Sequence, residues 1–167
     1  MDVRLSFVFA RRSVRHYTPE PVSDADVQAL LEGAMAAPSA RNTKPWHFVV
    51  VRDRGRLLRL ANIHPNASVL EGAALGIAVC GEPHESEYWV QDTSAATENI
   101  LLSATVLGLG AVWIGVHPKS DREQKVREIL NLTPTVTPLC LVAIGHPAEE
   151  KPSRTQYDPS RVHYEQW

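Results

Sequence analysis

The sequence predicts a layered α+β or α/β domain of about four strands and five helices. Four short runs rich in β-branched and apolar residues are separated by longer segments whose apolar residues recur at helical spacing. The 167 residues lie close to the ~150 typical of one domain. No linker, charge run or internal repeat divides them, so a single domain over 1–167 is expected. With 44% hydrophobic and 22% charged residues the chain has an ordinary globular balance, and a net charge of -2 gives no bulk attraction to nucleic acid or an anionic membrane.

The first readable element follows Pro21-Val22. Ser23-Asp-Ala-Asp26 has capping-box spacing, and Val27, Leu30, Leu31, Ala34 and Met35 share one helical face, so a helix is expected over about 24–37, stopped by Pro38. Trp46-His-Phe-Val-Val-Val51 reads as a buried strand closed by Asp53-Arg-Gly55. Residues 56–73 read as one or two short helices broken near His64-Pro65-Asn66, and 74–80 as a second strand. A long helix over about 90–109 is apolar around most of its circumference. It must be covered on most sides, either at the centre of the core or with one face against a second subunit.

Ala111–Val116 reads as a third strand, and Ser120-Asp-Arg-Glu123 as a capping box opening a helix that turns Val126, Ile129 and Leu130 inward. Thr137–Gly145 reads as the fourth strand. The tail from Pro147 has no periodicity, but Tyr157, Tyr164 and Trp167 favour docking over fraying.

No apolar stretch approaches the ~18 residues of a membrane span, and the N-terminal apolar segment is too short for a secretory signal. Cys80 and Cys140 each sit inside an apolar run, as buried thiols of a reducing compartment do, and a cytoplasmic location is expected. The chain lacks Gly-x-Ser-x-Gly, Walker A, His-Glu-x-x-His and Cys-x-x-Cys patterns. Seven histidines are scattered without an i, i+4 pair, so no metal site is expected. Gly108-Leu-Gly110 follows a helix and precedes a strand, the reverse of a dinucleotide fingerprint, and reads as a helix C-cap.

Two clusters carry chemistry. Arg11-Arg12-Ser13-Val14-Arg15 places three guanidinium groups and a hydroxyl within five residues, a set that can grip one phosphate or simply form a solvated face. Pro38-Ser-Ala-Arg-Asn-Thr-Lys-Pro45 is a stiff loop holding Ser39, Asn42 and Lys44, suited to the polyhydroxy chain or heteroaromatic edge of a cofactor, or to an ordinary turn.

In order along the chain, Arg11-Arg-Ser-Val-Arg-His-Tyr, Ala36-Ala-Pro-Ser-Ala-Arg-Asn-Thr-Lys-Pro-Trp-His-Phe, the stretch Ala95 to Gly115 and Ile144-Gly-His-Pro with Arg154 resemble the nitroreductase family of FMN-dependent oxidoreductases. The resemblance spans nearly the whole chain. It implies an α+β fold with a mostly antiparallel central sheet of about four strands, joined by a strand from the partner's tail. It also implies a homodimer with flavin sites at the subunit interface and a tail, about 147–167, that extends onto the partner.

By the same resemblance Arg11, Arg12, Ser13, Arg15 and Arg154 hold the FMN phosphate and ribityl chain, with Lys151 as a helper. Pro38, Ser39 and Asn42 come from the other subunit, and Trp113, Ile114 and Gly115 lie against the flavin. The implied activity is ping-pong reduction of nitroaromatic, quinone or related acceptors by NADH or NADPH, with no protein nucleophile or general base, no nucleic acid and no membrane. The Trp113-Ile114-Gly115 stretch lacks the Glu-Gly pair that larger members often have near that position, which leaves the backbone donor to flavin N5 open, and Lys44 stands where Gln is common. The alternative readings are the same flavin fold with a dedicated non-nitro reaction, such as dehalogenation, enone or aldehyde reduction or dehydrogenation, and a flavin-binding or storage module without turnover.

Overall fold

The computed structural model describes all residues, Met1–Trp167. Its helices are α1 (Ser6–Ala10), α2 (Asp24–Met35), α3 (Arg54–Ala61), α4 (Trp89–Val106) and α5 (Ser120–Leu130), with a 3-10 helix at Pro65–Glu71. The strands are β1 (Trp46–Val51), β2 (Leu75–Gly81), β3 (Gly110–Gly115) and β4 (Thr137–Gly145). They form one sheet in the order β1-β2-β4-β3, every pair antiparallel.

Helices cover both faces of this sheet. On one face α2 and α4 set Leu30, Ala34, Ile100 and Ala104 against Ile77, Val79, Val142 and Ile144. On the other, α3, the 3-10 helix and α5 set Leu57, Leu60, Leu70 and Val126 against Ala78, Val112, Leu141 and Ala143. Every residue of β2, and every residue of β4 except Thr137, is buried. That is why both strands read as unbroken apolar runs: a strand without a solvated face has no polar positions to alternate with.

The Ser23 cap forms as read, with Oγ accepting the Asp26 N–H at 3.0 Å, and Gly108 ends α4 at φ +73°. The capping box at Ser120 does not form. Ser120 is already helical behind an N-cap Lys119 that makes no side-chain cap bond, and Glu123 instead meets His117 Nδ1 at 2.8 Å. Of the three residues expected inward on α5, only Val126 is fully buried, with Ile129 and Leu130 packed half-buried on the same cluster. α1 is absent from the sequence reading because five residues, none of them buried, are too few to show a period. No helix is long and apolar enough to cross a membrane.

The tail divides in two. Its first part lies on the chain's own N-terminal segment, with Ala148 N–H donating to His16 C=O at 2.9 Å, Arg154 N–H to Phe9 C=O at 3.0 Å and Lys151 Nζ to Ser13 C=O at 2.6 Å. From 155 onward the hydrogen bonds are local, and Tyr157, Tyr164 and Trp167 stand exposed.

Candidate functional site

β3 is an edge strand, and half of its backbone groups have no strand to meet. In an antiparallel pair the N–H and C=O of one residue point the same way and alternate residues point opposite ways. The Ala111 C=O points outward and accepts the Val14 N–H at 3.0 Å. The Gly115 C=O points outward as well, accepting from Arg122 Nη1 at 3.1 Å. Trp113 lies between them in the same phase, so its N–H and C=O face outward, as does the Gly115 N–H. Ile114 turns its backbone toward β4.

Residues 13 and 14 cover only the Ala111 end of this edge. Beyond them it borders a cavity of about 710 Å³, within the ~300–1,000 Å³ usual for small-molecule sites. Opposing walls come from Arg15 and Tyr17, from Asn66 and Ser68 on the 3-10 helix, and from Arg122 on α5. Two arginines and no carboxylate line the cavity, in a chain whose overall charge is negative. Arg15 follows the residue anchored at Ala111 and Arg122 is anchored at Gly115. Four strand residues at ~3.3 Å each separate these anchors by about 13 Å.

Polar contacts hold the walls. Tyr17 Oη donates to Val14 C=O at 2.7 Å, with the Ala143 carbonyl at 3.1 Å, and burial pushes its phenol well above the usual range. The Arg15 N–H donates to Glu149 Oε1 at 2.7 Å, and Lys151 Nζ sits 2.9 Å from that same oxygen. The Arg15 N–H, then the Lys151 ammonium, hold the Glu149 carboxyl at about 2. His64 Nδ1 accepts the Asn66 N–H at 3.2 Å, while its Nε2 is enclosed without a hydrogen-bond partner. Burial, then the Arg122 charge, lower the imidazole pKa against the pull of the nearby Gly115 carbonyl.

The loop from Pro38 to Lys44 lies elsewhere. It leads into β1, the opposite edge of the sheet, about 14 Å away over three strand spacings. Asp92, 5% exposed on α4, fixes it by accepting the Ala40 N–H at 2.9 Å on Oδ1 and the Ser86 hydroxyl at 2.9 Å on Oδ2. Arg41, Asn42 and Lys44 all have positive φ, a concentration of backbone strain typical of functional loops.

A model of the Nitroreductase family matches residues 8–69 and 61–146. The chain belongs to the nitroreductase family. It is 41% identical, over the full length of both chains, to an Archaeoglobus fulgidus protein named "Putative NADH dehydrogenase/NAD(P)H nitroreductase". A crystal structure of that same name from Bacteroides thetaiotaomicron superposes at TM-score 0.96 with 40% identity, covering 100% of this chain and 99% of that one. A crystal structure from Desulfovibrio desulfuricans named "putative nitroreductase in complex with fmn" matches at TM-score 0.85 and 31% identity, covering 100% of this chain and 99% of that one.

Of the residues singled out from the sequence, Arg15, Trp113, Ile114 and Gly115 line the cavity. Arg11, Arg12, Ser13 and Arg154 lie on the two segments that flank it. Arg11 Nε is 3.5 Å from Glu98, Arg12 Nη1 donates to the Pro152 carbonyl, and Arg154 joins through its backbone. Lys151 Nζ lies 2.9 Å from Glu149 Oε1 and donates to the Ser13 carbonyl at 2.6 Å. Pro38, Ser39 and Asn42 are absent from the cavity of their own chain. The sequence reading missed Asn66, Arg122, Glu149 and Asp92. Asn66 stood out only as part of a helix break and Arg122 only as a capping-box interior, and no local pattern marks either as a cavity residue.

Proposed function

We propose that the chain is an FMN-dependent oxidoreductase that uses NADH or NADPH to reduce nitroaromatic, quinone or related acceptors. The observation that carries this reading is the bare outer edge of β3, with the N–H groups of Trp113 and Gly115 turned to a cavity lined by arginine and free of carboxylates. FMN fits this donor set. Arg11, Arg12, Ser13, Arg15 and Arg154 would hold its phosphate and ribityl chain, and the apolar strand edge with outward N–H groups would meet its planar ring. Gly115 offers open space, since a Cβ there would meet nothing within 4 Å.

The chemistry FMN supplies when bound is acceptance of a hydride at N5 from the nicotinamide and its later delivery to an oxidant at the same face. The chain's residues orient and stabilise. The outward N–H of Trp113 or Gly115 is available to the ring's N5, whereas that of Ile114 is not. The arginines stabilise negative charge on the cofactor, and no side chain acts as nucleophile or base.

Pro38, Ser39 and Asn42 reach a site on β3 only from a second copy, because their own chain holds them at the far edge of the sheet. The uncovered stripe of α4 supports a homodimer. Leu102, Val106 and Leu107 border an apolar groove of about 420 Å³ with Phe7 and Ala36, and Val106 is 68% exposed. The exposed aromatics from 155 onward suit docking on that partner. The free thiols of Cys80 and Cys140 suit the cytoplasm.

The purified protein should be yellow, its flavin absorbance bleached by NADH or NADPH, and a dimer of two 167-residue chains by light scattering. A storage module without turnover would bind FMN and leave the nicotinamide unoxidised. Arg11→Ala with Arg154→Ala should lose FMN affinity while remaining folded. A colourless protein that takes up no added FMN refutes the assignment.

A further inference from the structure

We propose that Asp92 is a positioning residue that acts across the subunit boundary: by holding the 38–44 loop in its left-handed conformation, it sets how tightly a second copy of the chain binds FMN. This rests on the reading that the loop serves a flavin on that second copy.

The loop needs an external hold. Arg41, Asn42 and Lys44 have φ of 52°, 58° and 54°, a conformation that residues with a Cβ avoid and keep only where their surroundings impose it. Most of the loop's hydrogen bonds are internal. Asn42 N–H donates to Ser39 C=O at 3.0 Å, Thr43 N–H to Ala40 C=O at 3.1 Å and Lys44 N–H to Ser39 Oγ at 3.0 Å. These bonds make 39–44 a unit without fixing where it sits. Beyond it Pro45 belongs to the sheet, its C=O accepting the Glu82 N–H at 2.9 Å. Arg41 Nη2 lies 3.6 Å from Glu87, but both side chains are well exposed and such a pair holds little. What places the unit is the Ala40 N–H, which donates to Asp92 Oδ1 at 2.9 Å.

Asp92 is a rigid mount. It stands in the first turn of α4, 5% exposed. A buried carboxyl is costly unless its oxygens are hydrogen-bonded, and the second oxygen accepts the Ser86 hydroxyl at 2.9 Å, while Ser86 Oγ accepts the Tyr88 N–H at 3.1 Å. The turn itself packs closely on the end of β2: a Cβ at Gly81 would lie 2.7 Å from Trp89 Cε3 and 3.0 Å from Thr93 Cγ2. Ser39 and Asn42 are thereby referenced to the sheet through one hydrogen bond. Further along, the same helix carries the uncovered apolar stripe with Leu102 and Val106, so α4 both meets the second copy and aims the loop at it.

The test is the FMN affinity of the full-length dimer, titrated by flavin fluorescence at a temperature where thermal unfolding shows each variant folded. Asp92→Ala should raise the FMN dissociation constant about tenfold, as a displaced binding group does. Asp92→Asn should stay within about twofold, since its oxygen accepts the Ala40 N–H and its amide donates to the Ser86 hydroxyl. Added to Asn42→Ala, Asp92→Ala should weaken binding far less than it does alone, because the loop then has no amide to misplace. Direction is the decisive readout. In a doubly tagged heterodimer of Asp92→Ala and Arg15→Ala chains, one of the two sites should bind FMN with wild-type affinity, whereas an Asp92 defect felt in its own chain's site would leave none. A folded Asp92→Ala dimer with wild-type FMN affinity overturns the proposal. So does a heterodimer without a tight site when the Arg15→Ala and Asn42→Ala pair shows one. If neither pair shows one, or the wild type binds no FMN, the reading of a shared flavin site falls and this proposal with it. Should Asp92→Ala yield no folded dimer, Ser86→Ala, which frees Asp92 Oδ2 and leaves the Ala40 bond, should raise the dissociation constant about threefold, and an unchanged value overturns the proposal.

Discussion

Gly110→Ala tests whether the start of β3 positions the cavity. A Cβ at Gly110 would lie 2.6 Å from Val14 Cγ1 and 2.9 Å from Val14 Cβ, against the ~3.5–4.0 Å at which carbon atoms rest. Val14 must therefore retreat by about 1 Å. A rotamer change cannot achieve this, because Val14 Cβ is itself one of the clashing atoms. The backbone has to shift, and that backbone donates to the Ala111 C=O at 3.0 Å. Overpacking costs about 1–3 kcal/mol and a weakened hydrogen bond about 1 kcal/mol more. For a chain of this size, that lowers Tm by roughly 5–15 °C. Because Arg15 is the next residue, FMN affinity should fall about tenfold or more. Urea unfolding at fixed protein concentration and an FMN fluorescence titration read the two effects. Gly108→Ala is the control. Its φ of +73° strains an alanine, yet nothing lies within 4 Å of the added Cβ, so it should lose about 1–2 kcal/mol and keep FMN affinity. Stability within about 0.5 kcal/mol of wild type and unchanged affinity for Gly110→Ala would refute the reasoning.

Glu149 should fasten the tail in a pH-dependent way. Its folded-state pKa of about 2 lies below the ordinary 4.5, so its contribution is complete above the ordinary value and fades as pH falls from about 4.5 toward 2. Proteolysis of the tail by an acid protease should accelerate across that window, and Glu149→Ala should already be cut faster at pH 7. Asp92→Ala leaves the Ala40 N–H and the Ser86 hydroxyl without their acceptor in a buried site, a loss of about 2–4 kcal/mol. Asp92→Asn keeps one acceptor oxygen and should cost less than half as much in the same denaturation assay. Burial pushes both cysteine thiols up to about 12. A thiol reagent at pH 8 should therefore leave the native protein unmodified and label both residues in denaturant.

Buried strands were the most legible part of the fold. β4 occurs at Thr137–Gly145 as read, because an apolar run closed by glycine can hardly be anything else. The failures share a cause as well. The Ser120 capping box lost to a histidine that folding brought to Glu123, and α1 buries too little to leave a pattern. Arg15 and the 113–115 segment, which line the cavity, were singled out from the sequence because each belongs to a contiguous motif. Arg122 was not, because its position beside Gly115 is created by the turn between β3 and α5. Strand order was also hidden: nothing local to β1 or β3 says that they are opposite edges.

That strand order turns a list of site residues into a statement about stoichiometry. If Asn42 and Arg15 serve one flavin, yet lie on opposite edges of one sheet, each site draws one residue from each chain. Arg15→Ala and Asn42→Ala chains, each defective alone, should then complement. Co-expressed in equal amounts with random pairing, they form about half heterodimers, and in each heterodimer one site receives both substitutions while the other receives neither. About a quarter of all sites should therefore bind FMN with wild-type affinity, although neither parent homodimer has any such site. Titration of the separately tagged, doubly purified heterodimer should show two equal populations, one tight and one weak. If both residues served a site within their own chain, every site would carry one defect and no tight population would appear, a result that would also remove the structural case for shared flavin sites.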